Sequence, residues 1–234
     1  MNITQTAALF RGTFLCSPGE LSIRLERCRA FVFDWDGVFN NGQKDADGSS
    51  PFSEVDSMGT NLLRFCTYLS TGATPVTAII SGEKNKIALK LATRESMQAV
   101  YCGFRDKKVA FDHFLAENGL KEEEVCFMFD DVLDLSLAAR CGLRIMVGRA
   151  CNPLLINFAV ENGLVDYLTA ADGGACAVRE MSELLTGISG YYEQTIAGRI
   201  AYTGVYEDYL RSRNAVSTQL YLLKDAAVTA CSEL

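Results

Sequence analysis

Four apolar residues in a row, Ala30-Phe31-Val32-Phe33, stop abruptly at Asp34-Trp35-Asp36-Gly37. An unbroken apolar run of this length is expected for a strand buried on both faces, the setting of a parallel sheet. Similar runs then alternate with helical patterns. Residues 60–69 read as a helix, 75–80 as a second strand ending at Ser81-Gly82, and 84–93 as a helix. Residues 99–102 read as a third strand, and 107–118 as a helix capped by Gly119. A fourth strand, 125–129, runs into Asp130-Asp131, with Asp134 one turn on. A short helix (135–140), a fifth strand (144–147), a helix from Pro153 and a short strand (165–168) follow. Gly173-Gly174 then precede a helix that runs to Leu185. This alternation predicts an α/β fold on a doubly wound parallel sheet, whose site lies at the carboxyl ends of the strands.

Composition narrows the chemistry. The chain has one histidine, His113, against 29 acidic residues. Histidine-based triads that do not use His113, and zinc sites built on two or more histidines, are excluded. The net charge of −7 and the lack of a basic stripe argue against nucleic acid as a partner. Nine cysteines without a C-x-x-C pair read as small buried hydrophobes in a reducing compartment. No run approaches the ~20 apolar residues of a membrane span. A soluble, cytoplasmic protein with no membrane partner is the expectation.

Reactive groups stand at three strand ends: Asp34 and Asp36, Ser81 and Gly82, and Asp130 with Asp131 and Asp134. Lys107-Lys108 open the helix before the fourth strand. Singly, each has a plain structural use as a cap or a turn. Together they fit phosphoryl transfer. Aspartates from two strand ends can share one Mg²⁺, a hard cation that prefers carboxylate oxygens. Asp34 can attack phosphorus to form an aspartyl-phosphate. Asp36 can protonate the leaving oxygen and later deprotonate water. Ser81, with the backbone N–H that follows it, can hold a phosphoryl oxygen, and Lys107 can balance its charge.

The motif order, an apolar strand with DWDG, then ISG, a lysine and an acidic cluster, resembles the haloacid dehalogenase (HAD) superfamily of phosphatases. The resemblance covers roughly residues 28–185. The segments FDWDGVFNNG, DSMG, ISG, DKKVAF, FDDVLD and GGACAVRE are similar to the small capless branch, whose substrates are 3-deoxy sugar-acid phosphates. The intervals from Asp36 to Ser81 and from Ser81 to Lys107 also leave no room for a cap domain of at least ~50 residues. The resemblance implies Asp34 as nucleophile and Asp36 as acid/base. It implies Asp34, the Asp36 carbonyl and Asp130 as Mg²⁺ ligands, with Asp131 and Asp134 in support. It implies Ser81, Gly82 and Lys107 as phosphate binders, Lys108 being the alternative lysine. It further implies a β-hairpin flap over residues 39–53 that helps to build a homo-oligomer, a tetramer. The chain departs from the branch at Phe129, at Asn40-Asn41 and at Ala175-Cys176, where an arginine is missing.

The expected organisation is an N-terminal arm (1–28), a HAD-like phosphatase core (29–186) and a helical C-terminal extension (187–234). In the extension Tyr202, Tyr206 and Tyr209 share a helical face, which either packs on its own core or meets another subunit. Trp35 reads as a packing residue, and His113 as a surface or satisfied histidine rather than a catalytic one. The expected activity is Mg²⁺-dependent hydrolysis of a small sugar phosphate, with a non-catalytic scaffold of the same fold as the alternative. A signalling receiver domain would need its acidic pair early and its phosphorylated aspartate late, the reverse of the order seen.

Overall fold

The computed structural model describes residues 2–225 and 227–234. Its strands are β1 (Thr13–Phe14), β2 (Ala30–Phe33), β3 (Val76–Ser81), β4 (Ala99–Cys102) and β5 (Val125–Phe129). They continue with β6 (Leu143–Met146), β7 (Tyr167–Leu168), β8 (Gln219–Lys224) and β9 (Ala227–Cys231). Among the described residues they form one sheet in the order β1-β7-β6-β5-β2-β3-β4-β8-β9. Only the two edge strands, β1 and β9, run antiparallel to their neighbours. The strand order reverses at β2, so this is the doubly wound α/β sheet expected, with β2 at the switch point.

Side chains alternate along β2, as the two-residue period of a strand demands. Phe31 and Phe33 enter one core with α2 (Pro18–Arg27), α3 (Glu54–Thr71), α4 (Lys86–Arg94) and α8 (Ala177–Ile188). Ala30 and Val32 enter the other with α5 (Lys107–Asn118), α6 (Leu135–Ala138) and α7 (Pro153–Glu161). Phe127 and Phe129 of β5 stack on each other in this second core. The large side chain that departs from the family therefore packs under the sheet rather than into the loop beyond it.

Helix α3 starts six residues before the expected position, at Glu54. Ser53 accepts from the Val55 N–H, and Glu54 and Asp56 occupy the first turn, where acidic residues favour a helix start. These polar residues hide the start from an apolar-period reading. Buried Asp56 reaches across to α8 and accepts from the Arg179 backbone N–H at 2.8 Å. Burial pushes its carboxyl up to about 6, against those backbone donors.

Three expectations are corrected. Residues 39–53 form no hairpin. They make a loop in which the Asp45 carboxylate accepts from the Asp47 and Ser49 N–H groups, a local closure that competes with a strand ladder. The N-terminal segment, read as an arm with a short helix at residues 21–27, has that helix within α2 and is otherwise packed down. Helix α1 (Ile3–Ala7) packs on α8, and β1 completes one sheet edge. The C-terminal extension is only half helical. After α9 (Tyr192–Ala201) and α10 (Val205–Asn214) it returns as β8, which pairs in parallel with β4 and covers that edge. Its tyrosines divide: Tyr206 and Tyr209 are buried against Phe65 of α3, whereas Tyr202 ends α9 and is exposed. No described helix is long and apolar enough to cross a membrane.

Candidate active site

Phe33 stands beside Ile79 of β3 and Met128 of β5. The chain after Phe33 therefore leaves the sheet between the ends of those two strands, and Asp34 emerges among the residues that follow them. Asp34, Asp130 and Asp134 are all buried, and one carboxylate oxygen of each lies within 4.8 Å of the others. Lys107, the first residue of α5, is buried with them. Its Nζ donates to Asp34 Oδ1 at 2.5 Å and also to Asp134 Oδ1. Asp134, expected as a support, lies within the cluster itself. Its other oxygen accepts from the Asp130 and Asp131 N–H groups and holds the loop beyond β5 in shape.

The neighbouring candidates sort by geometry. Asp131 is exposed and caps the turn at Val132. Lys108 is exposed and pairs with Asp106, the cap of α5, so Lys107 is the lysine that reaches the cluster. Ser81 ends β3 buried, its Oγ accepting from the Glu83 N–H at 3.3 Å. Gly82 follows it with open space where a Cβ would stand. The Asp36 carboxylate stands apart from the three clustered ones. Ser50 Oγ donates to its Oδ1 and Lys44 Nζ to its Oδ2, both at 2.5 Å.

The turn carrying Asp34 and Asp36 is held from several sides. Trp35 is buried and stacks on Phe39, a packing role as expected. Asn40 is buried too. Its Oδ1 accepts from the Gly37 and Gly42 N–H groups, and its Nδ2 donates to the Trp35 carbonyl. The departure at this position thus supplies the turn's own internal brace. Gly37 has φ +86°, and a Cβ there would lie 2.1 Å from Asp130 Oδ2. Only glycine lets the two loops approach this closely. Below, a Cβ on Gly173 would lie 2.0 Å from the Gly37 carbonyl oxygen, so the Gly173-Gly174 segment is the floor of the same turn.

Electrostatics follow from burying like charges together. Burial pushes the Asp130 carboxyl up to about 9, reinforced by Asp34 and Asp134 and opposed by Arg149. Burial pushes Asp34 up to about 6 against the pull of Lys107. For Lys107 burial alone would lower the value, but Asp34 and Asp134 outweigh it and hold the ammonium above its ordinary range. The cluster therefore favours a further positive charge. Its donors suit a hard divalent cation, since they are carboxylate oxygens and one of them, Asp130 Oδ1, is buried without a hydrogen-bond partner.

Three residues of this site escaped the sequence. Lys44 and Ser50 lie in a polar loop, and Arg149 lies just beyond β6, where its guanidinium meets Asp130. Only Arg149 carried a usable signal, as a cation placed directly after a buried strand of a sheet whose site lies at such ends. Outside the cluster, Lys44, Asp47, Gly48, Gly82, Glu83, Lys84, Gly103 and Arg105 line an open cleft of ≈ 570 Å³. His113 is elsewhere, its Nδ1 3.0 Å from the Tyr101 hydroxyl and its ring against Tyr221.

No protein-family model matches the chain. The chain is 28% identical over 179 residues to 3-deoxy-D-manno-octulosonate 8-phosphate phosphatase KdsC of Escherichia coli, covering 75% of this chain and 88% of that one. Among solved structures, a probable yrbI family phosphatase from Pseudomonas syringae is 30% identical with a TM-score of 0.64, covering 80% of this chain and 99% of that one. The cobalt-bound deoxy-D-mannose-octulosonate 8-phosphate phosphatase of Haemophilus influenzae is 26% identical with a TM-score of 0.60, covering 74% and 99%. With an uncapped sheet and acidic loops at the ends of β2 and β5, the chain belongs to the haloacid dehalogenase superfamily, as a phosphatase of its capless, yrbI-type branch.

Proposed function

We propose that this protein is a Mg²⁺-dependent phosphomonoesterase that hydrolyses a small sugar phosphate, in particular a 3-deoxy sugar-acid phosphate. The observation that carries the reading is the buried Asp34–Asp130–Asp134 cluster with Lys107 at its centre. In this reading Asp34, Asp130 and the Asp36 carbonyl hold Mg²⁺. When bound, the ion neutralises charge on the transferred phosphoryl group.

The protein's own groups do the rest. Asp34 attacks phosphorus, forming a P–O bond to its carboxylate while the ester P–O bond breaks. Asp36 gives its proton to the departing sugar oxygen. A water then attacks the aspartyl-phosphate, Asp36 takes the water's proton, and the bond to Asp34 breaks to free phosphate. Ser81 and the Gly82 N–H hold a phosphoryl oxygen, and Lys107 holds Asp34 in place while opposing the charge that builds up. Asp131 and Asp134 support the loop. The contacts of Asp36 with Ser50 and Lys44 support a carboxylate that is kept accessible in the loop rather than drawn into the metal cluster.

The substrate class rests on two supports. Similar proteins are named for the 8-phosphate of 3-deoxy-D-manno-octulosonate. The cleft beside Ser81 also carries Lys84, with Lys44 and Arg105 paired to Asp36 and Glu83 beside it, and a sugar carboxylate can be met there by Lys84. A cytoplasmic setting belongs to the same reading, supported by cysteines that are all free. So does a homo-oligomer, with a tetramer as the specific form. Its support is the exposure of Val132, Leu133, Leu154 and Phe158 on the loops and helix that follow β5 and β6. The scaffold alternative is not favoured, because it gives no use to a buried, unpaired carboxylate oxygen. The test is phosphate release from a panel of sugar phosphates with Mg²⁺. The acidic 3-deoxy sugar phosphate is expected to show kcat/KM at least about tenfold above neutral sugar phosphates, the worth of one good charge-assisted contact. Equal rates across the panel would contradict the substrate class and leave the chemistry standing.

A further inference from the structure

We propose that Arg149 is a positioning residue for the cation site, holding Asp130 by one oxygen so that the other is free to ligate. The inference rests on the phosphatase reading and extends it to a residue which that reading does not use. Arg149 comes from the loop beyond β6, a strand end with no other part in the site. Its Nη2 lies 2.8 Å from Asp130 Oδ2 and donates to the Gly37 carbonyl at 3.1 Å. One guanidinium thus ties the end of β5 to the turn after β2, the two loops that must stay in register for Asp34 and Asp130 to share an ion. The two oxygens of Asp130 are treated differently. Oδ2 is engaged by Arg149, whereas Oδ1 is buried and has no partner.

The fit is tight. The space a Gly37 Cβ would need is filled by Asp130 Oδ2 and by Arg149 Nη2, the latter at 2.2 Å. Both contacts come from Nη2, whose two N–H bonds lie fixed in the guanidinium plane and can serve a carboxylate and a carbonyl together; a lysine ammonium, on a shorter stem and without that plane, does this less well. Partners that orient metal ligands in this way commonly change metal affinity by about 10–100-fold. Charge alone predicts the opposite sign, since removing a cation beside a cation site should tighten binding. The direction of the change therefore separates positioning from simple charge balance.

The test is Mg²⁺ binding to the full chain by calorimetry, with the fluorescence of Trp35, the only tryptophan, as a second readout. Thermal unfolding without metal monitors the fold. Arg149→Ala is expected to bind Mg²⁺ about 10–100-fold more weakly than the wild type. Arg149→Lys, which keeps the charge and loses the planar, farther-reaching donor, is expected to fall between. Equal or tighter binding by Arg149→Ala overturns the inference. If that variant does not fold, Arg149→Lys decides: weaker binding supports the inference, and wild-type binding overturns it. A wild type that binds no Mg²⁺ overturns the metal reading itself, and this inference with it.

Discussion

Asp34→Asn is expected to lose phosphate release by at least about 1,000-fold, with kcat falling rather than KM rising. The amide keeps nearly the same shape and an oxygen for Lys107 Nζ to donate to, but it is a poor nucleophile toward phosphorus. The substitution also removes one of three like charges buried together, so the fold is expected to survive. Thermal unfolding of the variant within a few degrees of the wild type would show that the loss is chemical. A variant that keeps more than a tenth of wild-type turnover would remove Asp34 from the nucleophile's role.

Lys107→Met should be costly in a different way. The lysine is buried, and its ammonium is shared by Asp34 and Asp134. Methionine fills much of the same volume but leaves both carboxylates without their cation. Breaking a buried ion pair from one side costs about 3–5 kcal/mol, mostly as the penalty on the charge left behind. Denaturant unfolding in a chelating buffer is expected to show a loss of that size, together with loss of activity. Added Mg²⁺ should recover more stability in this variant than in the wild type, because binding to the folded state alone stabilises it and the unpaired cluster is the better cation site. A variant as stable as the wild type in chelator would mean that the cluster does not need the lysine's charge.

Both predictions concern residues that could be read before any coordinates. Asp34 follows an unbroken apolar run, Asp130 follows another, and Lys107 opens a helix just after a strand. In each case local pattern determines the position, because the end of a parallel strand is where a doubly wound sheet places its chemistry. The rest depended on the path of the chain in space. Lys44 and Ser50 meet Asp36 only because residues 39–53 fold back as a loop instead of a hairpin. Nothing in their local pattern distinguishes that loop from a flap. Arg149 meets Asp130 because β6 lies next to β5, a sheet order the sequence does not spell out.

The C-terminal segment shows the same limit. Tyr206 and Tyr209 were legible as one helical face but not as the filling of a pocket over Phe65 of α3, and Tyr202 does not share that face. Strand β8 buries only Leu220 and Leu222 among its six residues, a short signal, and its partner β4 lies more than a hundred residues upstream. Phe129 is the converse case. Read beside Asp130 it threatens to crowd the metal loop, but the two-residue period of β5 turns it toward Phe127, and the loop keeps its room.

The central claim is that three buried aspartates at the ends of β2 and β5, with a lysine at the start of α5, perform metal-dependent phosphoryl transfer. Its most direct test is phosphate release by the wild type from the 8-phosphate of 3-deoxy-D-manno-octulosonate, measured with Mg²⁺, after chelation, and after Mg²⁺ is restored. The account predicts release that stops on chelation and returns with the ion. Release that continues at full rate in chelator, or no release from this or any other sugar phosphate by the folded protein with Mg²⁺, would contradict it.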